Sequence, residues 1–118
     1  MYRFNGFTEK ANKALNLAIE SAEEMGHTYV GTEHILLGLL QEQSGVAATV
    51  LNDLGVTADE LEQMMRQKIG TGVRSIITMD DFTPRTKRIL QIAVMQAARM
   101  GHNYVGTAFI DGVAGGIR

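Results

Sequence analysis

Between Glu9 and Met25 the apolar residues Ala11, Ala14, Leu15, Ala18, Ile19, Ala22 and Met25 fall at steps of three and four, the period of one helical face. Thr8 stands where an N-cap belongs and Gly26 where a left-handed stop belongs, so the pattern predicts an amphipathic helix. A short link from His27 to Gly31 leads to Thr32, placed to cap a second helix beginning at Glu33, whose carboxylate suits the positive end of the helix dipole. Ile35, Leu36, Leu37, Leu39 and Leu40 make that helix almost wholly apolar, and Gly38 lets a neighbour approach closely. After a break at Ser44-Gly45, Val46 to Leu54 predicts a short third helix, and Ala58 to Ile69 a fourth opened by a capping box of Thr57 and Glu60. Gly70-Thr71-Gly72 begins a connecting segment to Asp81, and its Ile76 and Ile77 predict that it lies against the body. Thr83-Pro84 opens a fifth helix to Met100, with Ile89, Leu90, Ala93, Val94, Ala97 and Met100 on its apolar face. Beyond Thr107, Gly112, Gly115 and Gly116 each oppose a helix by about 1 kcal/mol, which predicts at most a frayed sixth helix. Ahead of the first helix, Tyr2, Phe4 and Phe7 predict a short arm pinned by its aromatic rings. No stretch alternates over a strand's length, so the predicted fold class is all-α.

The fifth helix copies the first. Residues 7 to 32 laid over 82 to 107, an offset of 75, are identical at twelve of 26 positions, ending in Gly26-His27 with Tyr29-Val30-Gly31-Thr32 and Gly101-His102 with Tyr104-Val105-Gly106-Thr107. An ungapped match of that length marks a duplicated structural unit. It fails after Thr107, where Glu33-His34 is answered by Ala108-Phe109. The expected organisation is a single domain over 1–118 built of two pseudo-symmetric helical repeats: repeat one at 4–70, a connecting segment at 71–81, and a truncated repeat two at 82–118.

Composition narrows the function. A chain of 118 residues holds one compact domain and excludes a multidomain enzyme. A formal net charge of −2 supplies no field for a phosphate polymer, so nucleic acid is not an expected partner. The absence of cysteine removes disulfides and thiolate chemistry and leaves the cytoplasm as the default location. Charged residues interrupt every apolar run before it reaches membrane-spanning length, so no membrane is expected. His27, His34 and His102 match no metal-ligand spacing, and His27 and His102 follow helix-stop glycines where an imidazole can bond the last carbonyls. No phosphate-cradling loop or nucleophile elbow is present, so neither enzyme activity, metal nor cofactor is expected.

The candidate site is made of helix starts. Thr8 and Thr32 each open a helix whose first N–H groups lack intrahelical partners, and Glu33 adds a carboxylate beside one of them. Read from the residues alone, these three are either plain caps or an anion site next to a guanidinium acceptor. Arg85, Lys87 and Arg88, following Thr83, are likewise either a solvated helix face or a weaker anion site.

The strings Phe7-Thr8-Glu9-Lys10-Ala11, Gly26-His27, Gly31-Thr32-Glu33-His34-Ile35-Leu36-Leu37-Gly38-Leu39 and Phe82-Thr83-Pro84-Arg85 resemble the amino-terminal repeat domain of Clp AAA+ unfoldases, ClpC and ClpA type and closest to ClpC. The resemblance covers residues 4 to 107. It implies a module without ATPase or peptidase activity that sits on an ATP-driven unfolding ring and receives adaptor proteins or protein substrates of a Clp protease. In ClpC-type domains each repeat forms a pocket for arginine-phosphorylated substrates, which carries over to Thr8 and Glu33, with Thr32, as the first pocket. The second keeps Thr83, Arg85 and Lys87 but has Ala108 where the glutamate belongs. Two outcomes compete: a phosphoarginine-reading module, or a truncated remnant that only folds or self-associates, with Leu90, Val94 and Met100 forming a homodimer contact through the incomplete repeat.

Overall fold

The computed structural model describes residues 2–116, so Met1 and residues 117–118, the ends of the expected domain and of its second repeat, lie outside the described residues. Six α-helices carry the fold: α1 (Glu9–Glu24), α2 (Thr32–Glu42), α3 (Val46–Asp53), α4 (Ala58–Lys68), α5 (Pro84–Arg99) and α6 (Thr107–Gly116), with one 3-10 turn at Met79–Asp81. Among the described residues there is no strand, only two isolated bridges. The chain is all-α, as its periodicity predicts.

The α1 helix starts where Thr8 Oγ1 accepts the Ala11 N–H at 3.2 Å, and it stops where Gly26 turns left-handed at φ +72°. Its apolar face, Ala11, Ala14, Leu15, Ala18, Ile19 and Ala22, is buried in the main core with Ile35 and Leu39 of α2, Ile89, Ala93 and Ala97 of α5, and Ile110 and Val113 of α6. Gly38 sits where α2 crosses α1, because a Cβ there would strike the Ala14 carbonyl and the Ala18 backbone. A smaller core joins Met25 and Leu37 to Met65 of α4.

Three expectations are corrected. Gly31, not Thr32, is the N-cap of α2, and Thr32 is its first helical residue. The imidazole of His34 performs the capping by accepting the Gly31 N–H at 2.9 Å. The tail after Thr107 is a helix of three turns, because burying Ile110 and Val113 offsets the cost of its glycines. The arm is held by more than its rings: Asn12 Oδ1 accepts the Phe4 N–H at 2.7 Å, and Asn16 Oδ1 accepts the Tyr2 N–H at 2.7 Å. In each case the amide also donates back to that residue's carbonyl, so two asparagines on α1 pair with the arm as a strand would.

The connecting segment is strapped on by polar contacts. The Gly72 N–H bonds the Met25 carbonyl at 2.9 Å, the Ser75 hydroxyl bonds the His27 carbonyl at 3.1 Å, and the Ile77 N–H donates to Glu23 Oε2 at 2.8 Å. Ile77 is buried as expected, whereas Ile76 is exposed.

The two bridges are what position the helix starts. Phe7 pairs in parallel with Val105, and Val30 with Phe82. Each bridge therefore joins the approach to one half's first helix to the loop of the other half. The Thr8 N–H donates to the Val105 carbonyl and the Thr83 N–H to the Val30 carbonyl, both at 3.0 Å; the Val105 N–H returns to Gly6 at 2.8 Å and the Val30 N–H to Asp81 at 3.0 Å. All four bonds obey the 75-residue offset of the repeat.

Candidate functional site

The crossed bridges decide which predicted site residues meet. Thr8 is bonded to Val105, and its methyl group lies where it would touch a Cβ on Gly106 at 3.8 Å, so the start of α1 faces the Gly106-Thr107-Ala108 turn. Thr83 is bonded to Val30, so the start of α5 faces the Gly31-Thr32-Glu33 turn. The expected set is thereby divided. Glu33 and Thr32 share a corner with Thr83, and Thr8 shares one with Ala108. The repeat offset shows which positions correspond but not which touch, and only the bridges reveal the exchange. Thr83 Oγ1 caps α5 by accepting the Thr86 N–H at 3.1 Å and lies 2.8 Å from the buried Thr86 hydroxyl. Arg85 and Lys87 stand exposed on the opening turns of α5.

Glu33 is held beside a histidine pair that the spacing leaves unassigned. His27 and His34 are buried with Nδ1 of the first 2.8 Å from Nε2 of the second, and His27 Nε2 lies 2.8 Å from the Gly70 carbonyl. The Gly31 N–H can only donate, so His34 Nδ1 is a lone pair; its Nε2–H then donates to His27 Nδ1, and the His27 Nε2–H donates to Gly70. Every polar atom in this chain of bonds is satisfied with both rings neutral. His27 thus bonds His34 and the connecting segment rather than the last carbonyls of α1, correcting the expected capping role. Burial, and then His27, lower the His34 pKa from 6.5 to about 4. The Glu33 carboxylate lies 3.4 Å from the unprotonated His34 Nδ1 and folds over Gly31, where a Cβ would collide with its Oε1. Tyr29 stacks on His27 with ring centroids 5.9 Å apart; burial, and then Glu33, raise its pKa.

A groove of about 710 Å³ runs from this corner between α2, α3 and α6, with Glu33 at its lip and Leu36, Leu39, Val46, Val50 and Leu51 among its walls. Asp111 of α6 also lines it, and Asp111 Oδ2 accepts the Ala47 N–H at 3.3 Å, capping α3, whose own N-cap is Gly45. Desolvation raises the Asp111 pKa, opposed by the α3 N–H groups and reinforced by Glu42. No residue-level signal singles out Asp111; only the packing of α6 on α3 brings it there. Among the described residues no group of three histidine or acidic side chains is placed to hold a metal ion, and no helix is long and apolar enough to cross a membrane.

The sequence profile of the Clp repeat (R) N-terminal domain matches residues 6–110. The chain belongs to that family. An ATP-dependent Clp protease ATP-binding subunit ClpA homolog of Guillardia theta is 45% identical over 104 residues, covering 88% of this chain and 13% of that relative. The chloroplastic chaperone protein ClpC1 of Arabidopsis thaliana is 43% identical over 104 residues, covering 88% of this chain and 11% of the relative. The chain thus spans roughly an eighth of the length of such relatives. Among solved structures, the N-terminal domain of the ClpD chaperone of Arabidopsis thaliana superposes with a TM-score of 0.74 at 24% identity, covering 96% of this chain and 77% of that one. The N-domain of ClpV from Vibrio cholerae gives 0.66 at 20% identity, covering 92% and 66%. These two similarities show the Clp N-domain fold.

Proposed function

We propose that this Clp N-terminal domain is a non-catalytic receptor for protein substrates or adaptors of a Clp unfoldase, and that it reads phosphoarginine at the corner shared by Thr83, Arg85, Thr32 and Glu33. The observation that carries this reading is the hydrogen bond from the Thr83 N–H to the Val30 carbonyl, which sets the starts of α5 and α2 side by side. Unpaired N–H groups of two helix starts suit a phosphoryl group, and a carboxylate suits the guanidinium two bonds away. Thr8 faces Ala108, which offers no acceptor, so the second corner is the weak one. The same reading takes 1–118 as one unit with repeats at 4–70 and 82–118 and a connecting segment at 71–81, working in the cytoplasm.

Calorimetric titration with phosphoarginine tests it. One site is expected, weakened about ten- to hundredfold in Glu33→Gln, the loss of a charged hydrogen-bond partner. Thr83→Ala is expected to weaken the same site and Thr8→Ala to leave it unchanged. Two equal sites, or sensitivity to Thr8 alone, would overturn the assignment. The competing reading, a self-associating remnant, draws on Val94 and Met100, which are 45% and 69% exposed on α5 and just after it. Light scattering separates the two, because a monomer at high concentration removes the homodimer.

A further inference from the structure

Of the asparagines along the chain, only Asn5 is followed by glycine. Asn12 and Asn16 are buried on α1 with their amides bonded to the arm, Asn52 lies within α3, and Asn103 precedes Tyr104. Asn5 and Gly6 instead stand exposed at the tip of a turn. The Phe7 N–H closes it by donating to the Phe4 carbonyl at 3.3 Å, and Gly6 takes the third position at φ +85°. Among the described residues the Gly6 N–H makes no backbone hydrogen bond, and beyond the chain neighbours nothing lies within 4 Å of where a Cβ on Gly6 would sit. The Gly6 nitrogen is therefore free of both partner and screen.

A free backbone nitrogen beside a side-chain amide has a reaction open to it. The Gly6 nitrogen adds to Asn5 Cγ, forming a C–N bond and giving up its proton, while the Cγ–Nδ2 bond breaks and ammonia leaves with that proton. The cyclic imide left behind takes up one water. Opening at Cγ gives aspartate at position 5, whereas opening at the main-chain carbonyl carbon leaves Gly6 attached through Cγ, an isoaspartyl linkage with one more methylene in the backbone. Nothing is oxidised or reduced. The two products differ in consequence. By the repeat offset, position 5 corresponds to Asp80, a carboxylate that is exposed in the half possessing all four helices, so this place in the fold takes an aspartate and faces water. The longer linkage does not fit. Phe4 is tied to Asn12 by bonds of 2.7 and 3.1 Å on one side of the turn, and the Gly6 carbonyl accepts the Val105 N–H at 2.8 Å on the other. An extra methylene between them moves the Gly6 carbonyl off its partner.

We propose that Asn5-Gly6 is a self-modification site, where deamidation through the cyclic imide installs an isoaspartyl linkage that breaks the Gly6–Val105 bond and opens the corner of Thr8 and Ala108. The other corner keeps its Thr83–Val30 bond, so the inference stands apart from the phosphoarginine reading. The test is to age the unmodified chain at mildly alkaline pH and physiological temperature, digest it with trypsin and follow the peptide 4–10 by chromatography and mass spectrometry. Loss of the asparagine form is expected, in favour of an aspartyl and an isoaspartyl product, while the peptides of Asn52 and Asn103 keep their amides. In the intact aged chain, a fraction of molecules equal to the isoaspartyl fraction is expected to exchange the Val105 amide roughly tenfold faster, the loss of one hydrogen bond. Freshly made Asn5→Asp supplies the charge without the methylene and should keep Val105 slow. Asn5→Ser should abolish both the products and the faster exchange, with Asn5→Gln in its place if circular dichroism shows Asn5→Ser misfolded; the ageing of the unmodified chain needs neither variant. No conversion at Asn5, conversion of Asn52 or Asn103 ahead of it, aspartate as the sole product, or an isoaspartyl fraction with Val105 still slow would each overturn the proposal.

Discussion

Met25 and Met100 are the same position in the two halves, yet the first is 0% exposed and the second 69%. In the first half Leu37 and Met65 close over the methionine, whereas the second has Gly112 in place of Leu37 and no counterpart of α4 among the described residues. The histidines diverge in step. His27 and His34 form a satisfied chain of hydrogen bonds, while exposed His102 only packs edge-on against Phe109 at 5.0 Å. Glu33 is answered by Ala108. The half that keeps the carboxylate thus keeps the buried polar network under it, and the half without it has neither. Glu33 thus stands at the start of α2 beside His34, an arrangement that the second half does not repeat.

Exchanging residues between the halves tests that contrast. The largest effect is expected from Gly38→Val, which installs the residue of the second half, Val113, where α2 crosses α1. Its Cβ would meet the Ala14 carbonyl and Ala18 backbone, which cannot swing aside, and the expected cost is about 3 kcal/mol or more in chemical denaturation. A loss below about 1 kcal/mol would show that the crossing is looser than described.

His34→Phe copies Phe109 into the first half and strips the Gly31 N–H and His27 of their partner. Leaving buried groups unpaired is expected to cost about 2–3 kcal/mol and to loosen the Gly70 contact, seen as faster amide exchange at Gly31. His27→Phe should add little to it, since the two rings act as one unit.

The histidine chain also gives the first half a pH dependence. Because the His34 pKa is depressed in the folded state, its contribution is complete above the unfolded value near 6.5 and declines as pH falls toward about 4. Stability is expected to drop by about 2 kcal/mol, to order of magnitude, across that window. His34→Phe should flatten the profile there; an unchanged slope would assign the acid sensitivity to other groups. The smallest effect is expected at Met100→Lys, within about 0.5 kcal/mol, against several for Met25→Lys.

Local features were legible from sequence, and features closed across the molecule were not. Helices α1 to α5 announce themselves through their apolar period, and Thr8, Thr57 and Thr83 cap as read, whereas the cap of α2 falls one residue earlier than the sequence places it. Only α6 was undervalued, because glycine propensity was weighed without the core that Ile110 and Val113 enter. The site residues were legible as types of chemistry, helix-start threonines and a lone glutamate. Their grouping was not, since Thr8 and Glu33 share one repeat but meet different corners, and a repeat offset says nothing about which copy completes which. The histidine chain escaped because spacing along the sequence cannot report a turn that folds His27 back over His34. Asp111 escaped because its partner, the start of α3, belongs to the other half.

The crossed bridges also impose an order on biosynthesis. A chain made from its N-terminus presents Phe82, the partner of Val30, well before Val105, the partner of Phe7. The helices of the first half can assemble as they emerge, but Phe7 waits until Val105 has been made. The corner that carries Glu33 can therefore close before the corner that carries Ala108, whose bridging residue Val105 follows Phe82 in the chain.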